Sequence, residues 1–209
     1  MAAKSRKAKP VGDGKVRKPE SRKEEIVAAT VRVIGRRGVA GASMRAIARE
    51  MGLTTGVISH HFADKTELLR EALQTCFDPW FEALEEGKQN LDSWGRLRHL
   101  FLATIPAYRT RKNTRRVWLG LLMQIEYEKV LWDIYKSRYG KMRDEVCDLV
   151  RQCQKDGFVS GSLDPDVETT RLFALCDGLM VSVIGEPDRF TEAHVTQVLT
   201  SQVDALRSK

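Results

Sequence analysis

The sequence predicts an all-α protein of about nine helices, an N-terminal three-helix helix-turn-helix head followed by a larger helical body. Three observations carry this. Apolar residues recur at i, i+3, i+4 and i+7 from residue 24 nearly to the end. The gaps between periodic stretches hold helix-stop and helix-start residues such as Gly52, Ser43 and Asp64. No run alternates apolar and polar residues long enough to suggest a sheet, and no internal repeat is visible.

Ahead of the first helix, residues 1–23 hold nine basic side chains (Lys4, Arg6, Lys7, Lys9, Lys15, Arg17, Lys18, Arg22, Lys23) against Asp13 and Glu20. That segment alone accounts for the chain's net charge of +7. With almost no large apolar residues it cannot build a core, so it is expected to be a disordered, solvated tail. It either solubilises the chain or touches phosphates without reading sequence, which would make nucleic-acid affinity salt-dependent. No apolar run is long enough to span a membrane, and the N-terminus lacks the apolar core of a signal peptide, so a cytoplasmic protein with no membrane partner is expected. Cys76, Cys147, Cys153 and Cys176 show no Cys-x-x-Cys spacing, and His60, His61, His99 and His194 do not complete a metal-ligand pattern with them. Reduced thiols, no metal and no cofactor are expected.

The elements follow in order. In EEIVAATVRVIGRRG, Ile26, Ala29, Val33 and Ile34 make one stripe that ends at Gly38. Ser43 caps a second helix whose Met44, Ile47, Ala48 and Met51 keep the period, with Gly52 as its stop. A third runs from about Thr54 to Phe62, and Asp64 with Glu67 makes a capping box for a fourth. Further helices are predicted near 65–89, 93–107, 112–127, 129–156, 166–184 and 191–207, broken at Pro106, Gly157 to Pro165, and Gly185-Glu186-Pro187. The domains implied are the tail (1–23), a three-helix head (24–70) and a larger helical body (71–209).

The stretch GLTTGVISHHFADKTELL concentrates the chemistry. At about 100° per residue, Leu53, Val57, Ile58, His61 and Phe62 fall on one side, and Thr55, Gly56, Ser59 and His60 on the other. So short a helix must be held by its neighbours, leaving its small polar face displayed. Hydroxyls, imidazole and bare glycine backbone suit close approach to base edges and phosphates in a major groove. Lys65 lies in the first turn of the fourth helix, where a cation opposes the helix dipole at a cost of up to about 1 kcal/mol. A phosphate bound there would reverse the sign. Taken singly, His61 is more often an ordinary packed histidine and such a short helix more often an exposed connector; it is the spacing of the whole stretch that points to DNA.

Ser43-Met44-Arg45-Ala46-Ile47-Ala48, then Gly52 through Phe62, then Lys65 and Leu68-Leu69, together resemble the N-terminal signature of TetR-type transcriptional regulators. The resemblance implies that Ser43 and Arg45 abut the DNA backbone and that Thr54, Thr55 and Gly56 enter the groove. It further implies that Ser59, His60 and His61 contact bases and phosphates, and that Lys65 holds a phosphate. Most members carry Tyr where this chain has Ser59; the Ile-Ser-His-x-Phe pattern resembles the choline-responsive BetI branch.

In the body, all four Trp and seven other rings fall between Phe77 and Tyr139. Large rings between helices fill a core or line a cavity. The resemblance implies a small-molecule effector among these helices, with Trp80, Trp94, Trp118, Tyr127 and Trp132 as candidate pocket residues. A quaternary ammonium such as choline would be held by cation–π contact, with Glu126 or Glu128 as counter-charge. The helix near 166–184 is apolar over more than one face, and the last helix carries a single stripe. Either the body covers the former, or the two pair with a second copy as a four-helix bundle through Leu172, Leu175, Leu179, Val183, Val195, Leu199 and Val203. The resemblance favours a homodimer facing double-stranded DNA at a pseudo-palindromic operator.

The expected function is a sequence-specific, ligand-responsive regulator, a repressor released by its effector. An architectural DNA binder without effector is the alternative, and it would leave the aromatic body idle. A helical enzyme is a weaker one: no phosphate-binding glycine loop, His-Glu-x-x-His or recognisable nucleophile motif occurs, so no catalytic residue is assigned.

Overall fold

The computed structural model describes residues 21–103 and 112–208, and among them nine helices, with no β-pairing beyond one isolated bridge between Val159 and Arg207. The helices are α1 (Arg22–Gly41), α2 (Met44–Glu50), α3 (Thr55–His61), α4 (Lys65–Asn90), α5 (Ser93–Ala103), α6 (Lys112–Leu122), α7 (Lys129–Lys155), α8 (Pro165–Gly185) and α9 (Glu192–Asp204). Tail residues 1–20, Pro106, Tyr108 and the predicted end of the fifth helix lie outside the described residues.

The predicted caps appear as local hydrogen bonds. The Ser43 hydroxyl accepts from the Ala46 N–H at 3.2 Å. Asp64 Oδ1 accepts from the Glu67 N–H at 2.9 Å, and Glu67 Oε2 reaches back to the Ala63 N–H at 2.8 Å. Each satisfies an amide that the first helical turn leaves without a partner. Gly38, expected to end α1, instead kinks it: at φ 70° the backbone turns left-handed there, and a further turn runs to Gly41. Gly52, at φ 66°, makes the turn between α2 and α3.

The head packs Ile26, Ala29, Val33 and Ile34 of α1 against Ile47 and Ala48 of α2, Ile58 of α3, the adjoining Phe62, and Leu68 and Leu69 of α4. The same cluster runs on into Phe77, Val117, Trp118, Leu121 and Leu131. The expected boundary at residue 70 thus falls inside α4, one continuous helix that closes the head core with its first turns and lines the body with the rest. A second cluster joins α5, α7 and α8 with Val203 of α9, and a third joins the end of α8 to α9.

The last two helices correct the sequence expectation. Leu172, Leu179, Val183, Val195, Leu199 and Val203 are buried within the subunit, and Leu175 packs half-buried beside them. They form core, because the inner side of α8 faces its own subunit. Most of the apolar surface that α8 leaves open is another stripe, Val167, Ala174, Gly178 and Val181, with Val181 56% exposed; Ile184, near the end of the helix, is exposed beside it. The stripe's i, i+7, i+11, i+14 spacing keeps it on one side of the helix.

Candidate DNA-reading face and effector cavity

The seven residues of α3 divide as the wheel predicts. Ile58 and Phe62 are buried to within 1% of completely, whereas Thr54, Thr55, Gly56, Ser59 and His60 are exposed, and His61 is half-buried with its ring edge-on to His60 at 5.1 Å. Thr54 occupies the N-cap position, yet its hydroxyl makes no capping bond. The exposed face therefore offers two threonine hydroxyls, a serine hydroxyl, an imidazole and open backbone at Gly56. Ser43 and Arg45 are exposed at the start of α2, on the neighbouring surface.

Lys65 is half-buried at the start of α4, and its Nζ donates to the Val39 carbonyl at 3.0 Å. That carbonyl also accepts from the Ala42 N–H at 3.2 Å. The lysine that looked misplaced in sequence thus has an internal partner at the end of α1. The same end of α1 receives α6: Arg116 donates to the Gly35 carbonyl at 2.9 Å, and a Cβ added to Gly120 would lie 3.1 Å from the Val39 side chain. One face of α6 is therefore pressed onto the head.

The opposite face of α6 contributes Thr114, Arg115 and Trp118 to a cavity of about 120 Å³. By the volume one water needs, this holds several waters or one small organic molecule. Phe77, Pro79, Trp80, Phe101, Tyr139, Met142, Phe173, Met180, Cys76, Cys176 and Asp177 complete the wall. Trp118 meets Phe77 edge-on at 5.1 Å and stacks on Tyr139 at 6.0 Å, while Tyr139 meets Phe173 edge-on at 5.3 Å. Tyr139 donates its hydroxyl hydrogen to Asp177. Burial pushes the Asp177 carboxyl above its ordinary 3.8, against the opposing pull of that hydrogen bond and of Arg143. Burial, then the same bond, hold the Tyr139 phenol far above its ordinary range. Burial also pushes the Cys76 thiol up to about 12, which leaves it protonated and a poor nucleophile.

Of the aromatic residues singled out from sequence, Trp80 and Trp118 line this cavity. Trp94 does not: it packs in the second core cluster under the Arg207 guanidinium. Tyr127 is 77% exposed with Glu126 and Glu128 exposed beside it, because the turn between α6 and α7 carries them outward, and Trp132, in the first turn of α7, is 46% exposed. Trp132 stacks only on Tyr135, which in turn stacks on Tyr139. Sequence reasoning missed Tyr139 and Asp177. The signals were there: Trp132, Tyr135 and Tyr139 share one face of α7, and Asp177 is the lone acid between Leu172 and Ile184. Among the described residues no three potential ligands gather as a metal site, and no helix is long and apolar enough to cross a membrane.

Comparison with known proteins matches the head and most of the body. Residues 26–72 match the family profile for bacterial regulatory proteins of the tetR family, and residues 95–208 match that for the BetI-type transcriptional repressor C-terminal domain. The chain is 26% identical over 188 residues to the HTH-type transcriptional regulator PksA of Bacillus subtilis, covering 90% of each protein. It is 30% identical over 109 residues to the regulator BetI of Vibrio campbellii, covering 51% of this chain and 55% of that one. A transcriptional regulator from Saccharomonospora viridis, solved in complex with choline, superposes with a TM-score of 0.80 at 26% identity, covering 90% of this chain and 97% of that one. The displayed α3, the helical body and these matches agree: the chain is a TetR-family transcriptional regulator with a BetI-type C-terminal domain.

Proposed function

We propose that the protein is a cytoplasmic, dimeric repressor that reads a pseudo-palindromic operator and is released by a small organic cation entering the aromatic cavity. The observation that carries this reading is the position of α6, with one face in the cavity wall and the other on the head. A ligand that pushes on Trp118 acts on the helix that holds α1. Release requires the ligand to bind better to the conformation whose heads no longer fit the operator. Residues 24–70 serve as the reading head, with Ser43, Arg45, Thr54, Thr55, Gly56, Ser59, His60, His61 and Lys65 facing DNA, and residues 71–209 bind effector and partner.

The dimer seam fits the open stripe of α8 (Val167, Ala174, Gly178, Val181), with Ala193, Gln197 and Thr200 on the outer side of α9, better than the buried residues expected from sequence. Small side chains there allow close helix approach, and a two-fold seam would present two copies of α3. A cationic effector is supported by the ring-rich wall and by the choline-bound relative.

The test is selection of bound duplexes from a random DNA pool at near-physiological salt, comparing wild type with His60→Ala, Lys65→Ala. A pseudo-palindrome recovered by wild type alone, and no longer bound when a cation screened by thermal shift is added, is the expected result. Sequence-blind, salt-sensitive binding by both proteins would overturn the operator reading and assign the affinity to the basic tail.

A further inference from the structure

We propose that Asp177 is the residue that makes the cavity select a positively charged ligand, with Tyr139 holding its carboxylate until that ligand arrives. This rests on the reading that a small effector occupies the cavity, and it names the group that decides the effector's charge.

Among the described residues, Asp177 is the only carboxylate in the cavity wall. It stands on the inner side of α8 in an otherwise apolar run, where an apolar residue would pack at lower cost, since a buried carboxylate loses hydration. Stability of the fold therefore gives no reason for an acid at this position. Recognition does.

Two guanidinium groups lie near Asp177, and that of Arg143 acts on its carboxyl through space. Arg143, reaching from α7, donates to Thr170 at 2.7 Å and lies over the Phe173 ring at 5.7 Å. Arg115 of α6 lines the cavity too, and it has an interaction of its own. Of the cavity-lining groups, the one hydrogen-bonded to Asp177 is the neutral phenol of Tyr139. A neutral donor is the weaker partner for a carboxylate, roughly half as strong as a cationic one.

Around this pair Trp118, Tyr139 and Phe173 bring rings into the wall, Trp118 and Tyr139 stacked 6.0 Å apart and Phe173 edge-on to Tyr139 at 5.3 Å, so a cation beside Asp177 meets aromatic surroundings. A cation seated here gains charge pairing and cation–π attraction together. An uncharged ligand of the same shape gains neither. Glu126 and Glu128, the acids expected to do this from sequence, are exposed and outside the wall.

The experiment titrates the full-length protein with choline and with its uncharged carbon isostere, 3,3-dimethylbutan-1-ol, by calorimetry. The proteins compared are wild type, Asp177→Asn and Tyr139→Phe. Wild type is expected to bind choline at least roughly tenfold more tightly than the isostere, the scale of a partly desolvated cation–carboxylate contact. In Asp177→Asn that preference should collapse, chiefly through loss of choline affinity. Tyr139→Phe, which keeps the ring and frees the carboxylate of its neutral partner, should bind choline more tightly than wild type. It also carries the test if Asp177→Asn does not fold, for a tenfold loss in Tyr139→Phe would assign recognition to the phenol and overturn the proposal. An undiminished preference in Asp177→Asn overturns it while leaving the cationic-effector reading intact. If wild type binds neither compound, the cationic-effector reading fails, and this proposal fails with it.

Discussion

Lys65→Met separates a DNA contact from a structural tether. The substitution removes the ammonium and keeps most of the aliphatic stem. In the free protein it deletes the 3.0 Å charge-assisted bond to the Val39 carbonyl, worth about 1.5–3 kcal/mol. The lower part of that range applies, because the carbonyl keeps the Ala42 N–H and is not left without a partner. Against this, removing a cation from the first turn of α4 recovers about 0.3–1 kcal/mol of dipole energy. The two partly cancel, so the net loss is about 1 kcal/mol, or about 2–4 °C in Tm for a chain this long. On operator DNA the balance differs. Without the Lys65 ammonium, each of two heads neutralises one phosphate fewer, which removes about 1.8 from the slope of log affinity against log salt, or about thirtyfold in affinity at 0.15 M salt. Thermal melts and fluorescence anisotropy over a salt series measure both quantities. A melting temperature lowered well beyond that range, with an unchanged salt slope, would show Lys65 to be a tether and refute its assignment to DNA.

Three further outcomes are expected. Val181→Arg, on the open stripe of α8, should yield monomers by sedimentation with unfolding free energy within about 0.5 kcal/mol of wild type at matched monomer, whereas Leu179→Ala, 4% exposed, should cost about 2–5 kcal/mol in fold stability. The reverse pattern would return the seam to the residues expected from sequence. Ile58→Ala should lose a similar amount measured by denaturant unfolding, and its operator affinity should fall further than that of Ser59→Ala, since a seven-residue α3 keeps its shape only through packing. Asp177 supplies a pH test. Its native pKa is raised, so the stability it contributes is complete below 3.8 and is lost as pH rises through the native value. Asp177→Asn should match wild type below about pH 4 and become the more stable of the two toward neutral pH. A thermal-melt difference of the opposite sign would refute the burial assigned to this carboxyl.

The head was legible because its determinants are local. Ser43 and Asp64 bond amides three residues away, Gly52 supplies the positive φ of a turn, and the 3.6-residue period alone separates Ile58 and Phe62 from Thr55, Ser59 and His60. Each depends on geometry within one or two turns of chain, which neighbouring residue types determine. Helix number and most helix limits follow for the same reason.

Tertiary structure alone decided the cavity and the open face of α8. Periodicity says that Leu172, Leu179 and Val183 share an apolar side, but not whether their own subunit or a second copy covers it; here α5, α7 and α9 do. An aromatic side chain likewise carries no mark of which helix will stand opposite. Trp94 and Trp118 look alike in sequence, yet only Trp118 faces the cavity, because α6 approaches α4, α7 and α8 with that side while its other side rests on α1. Sequence determines which surfaces of this protein must be buried, since transfer from water depends on the side chains themselves; which neighbour buries them is settled only when α1 to α9 pack together, and effector recognition and partner choice depend on that second decision.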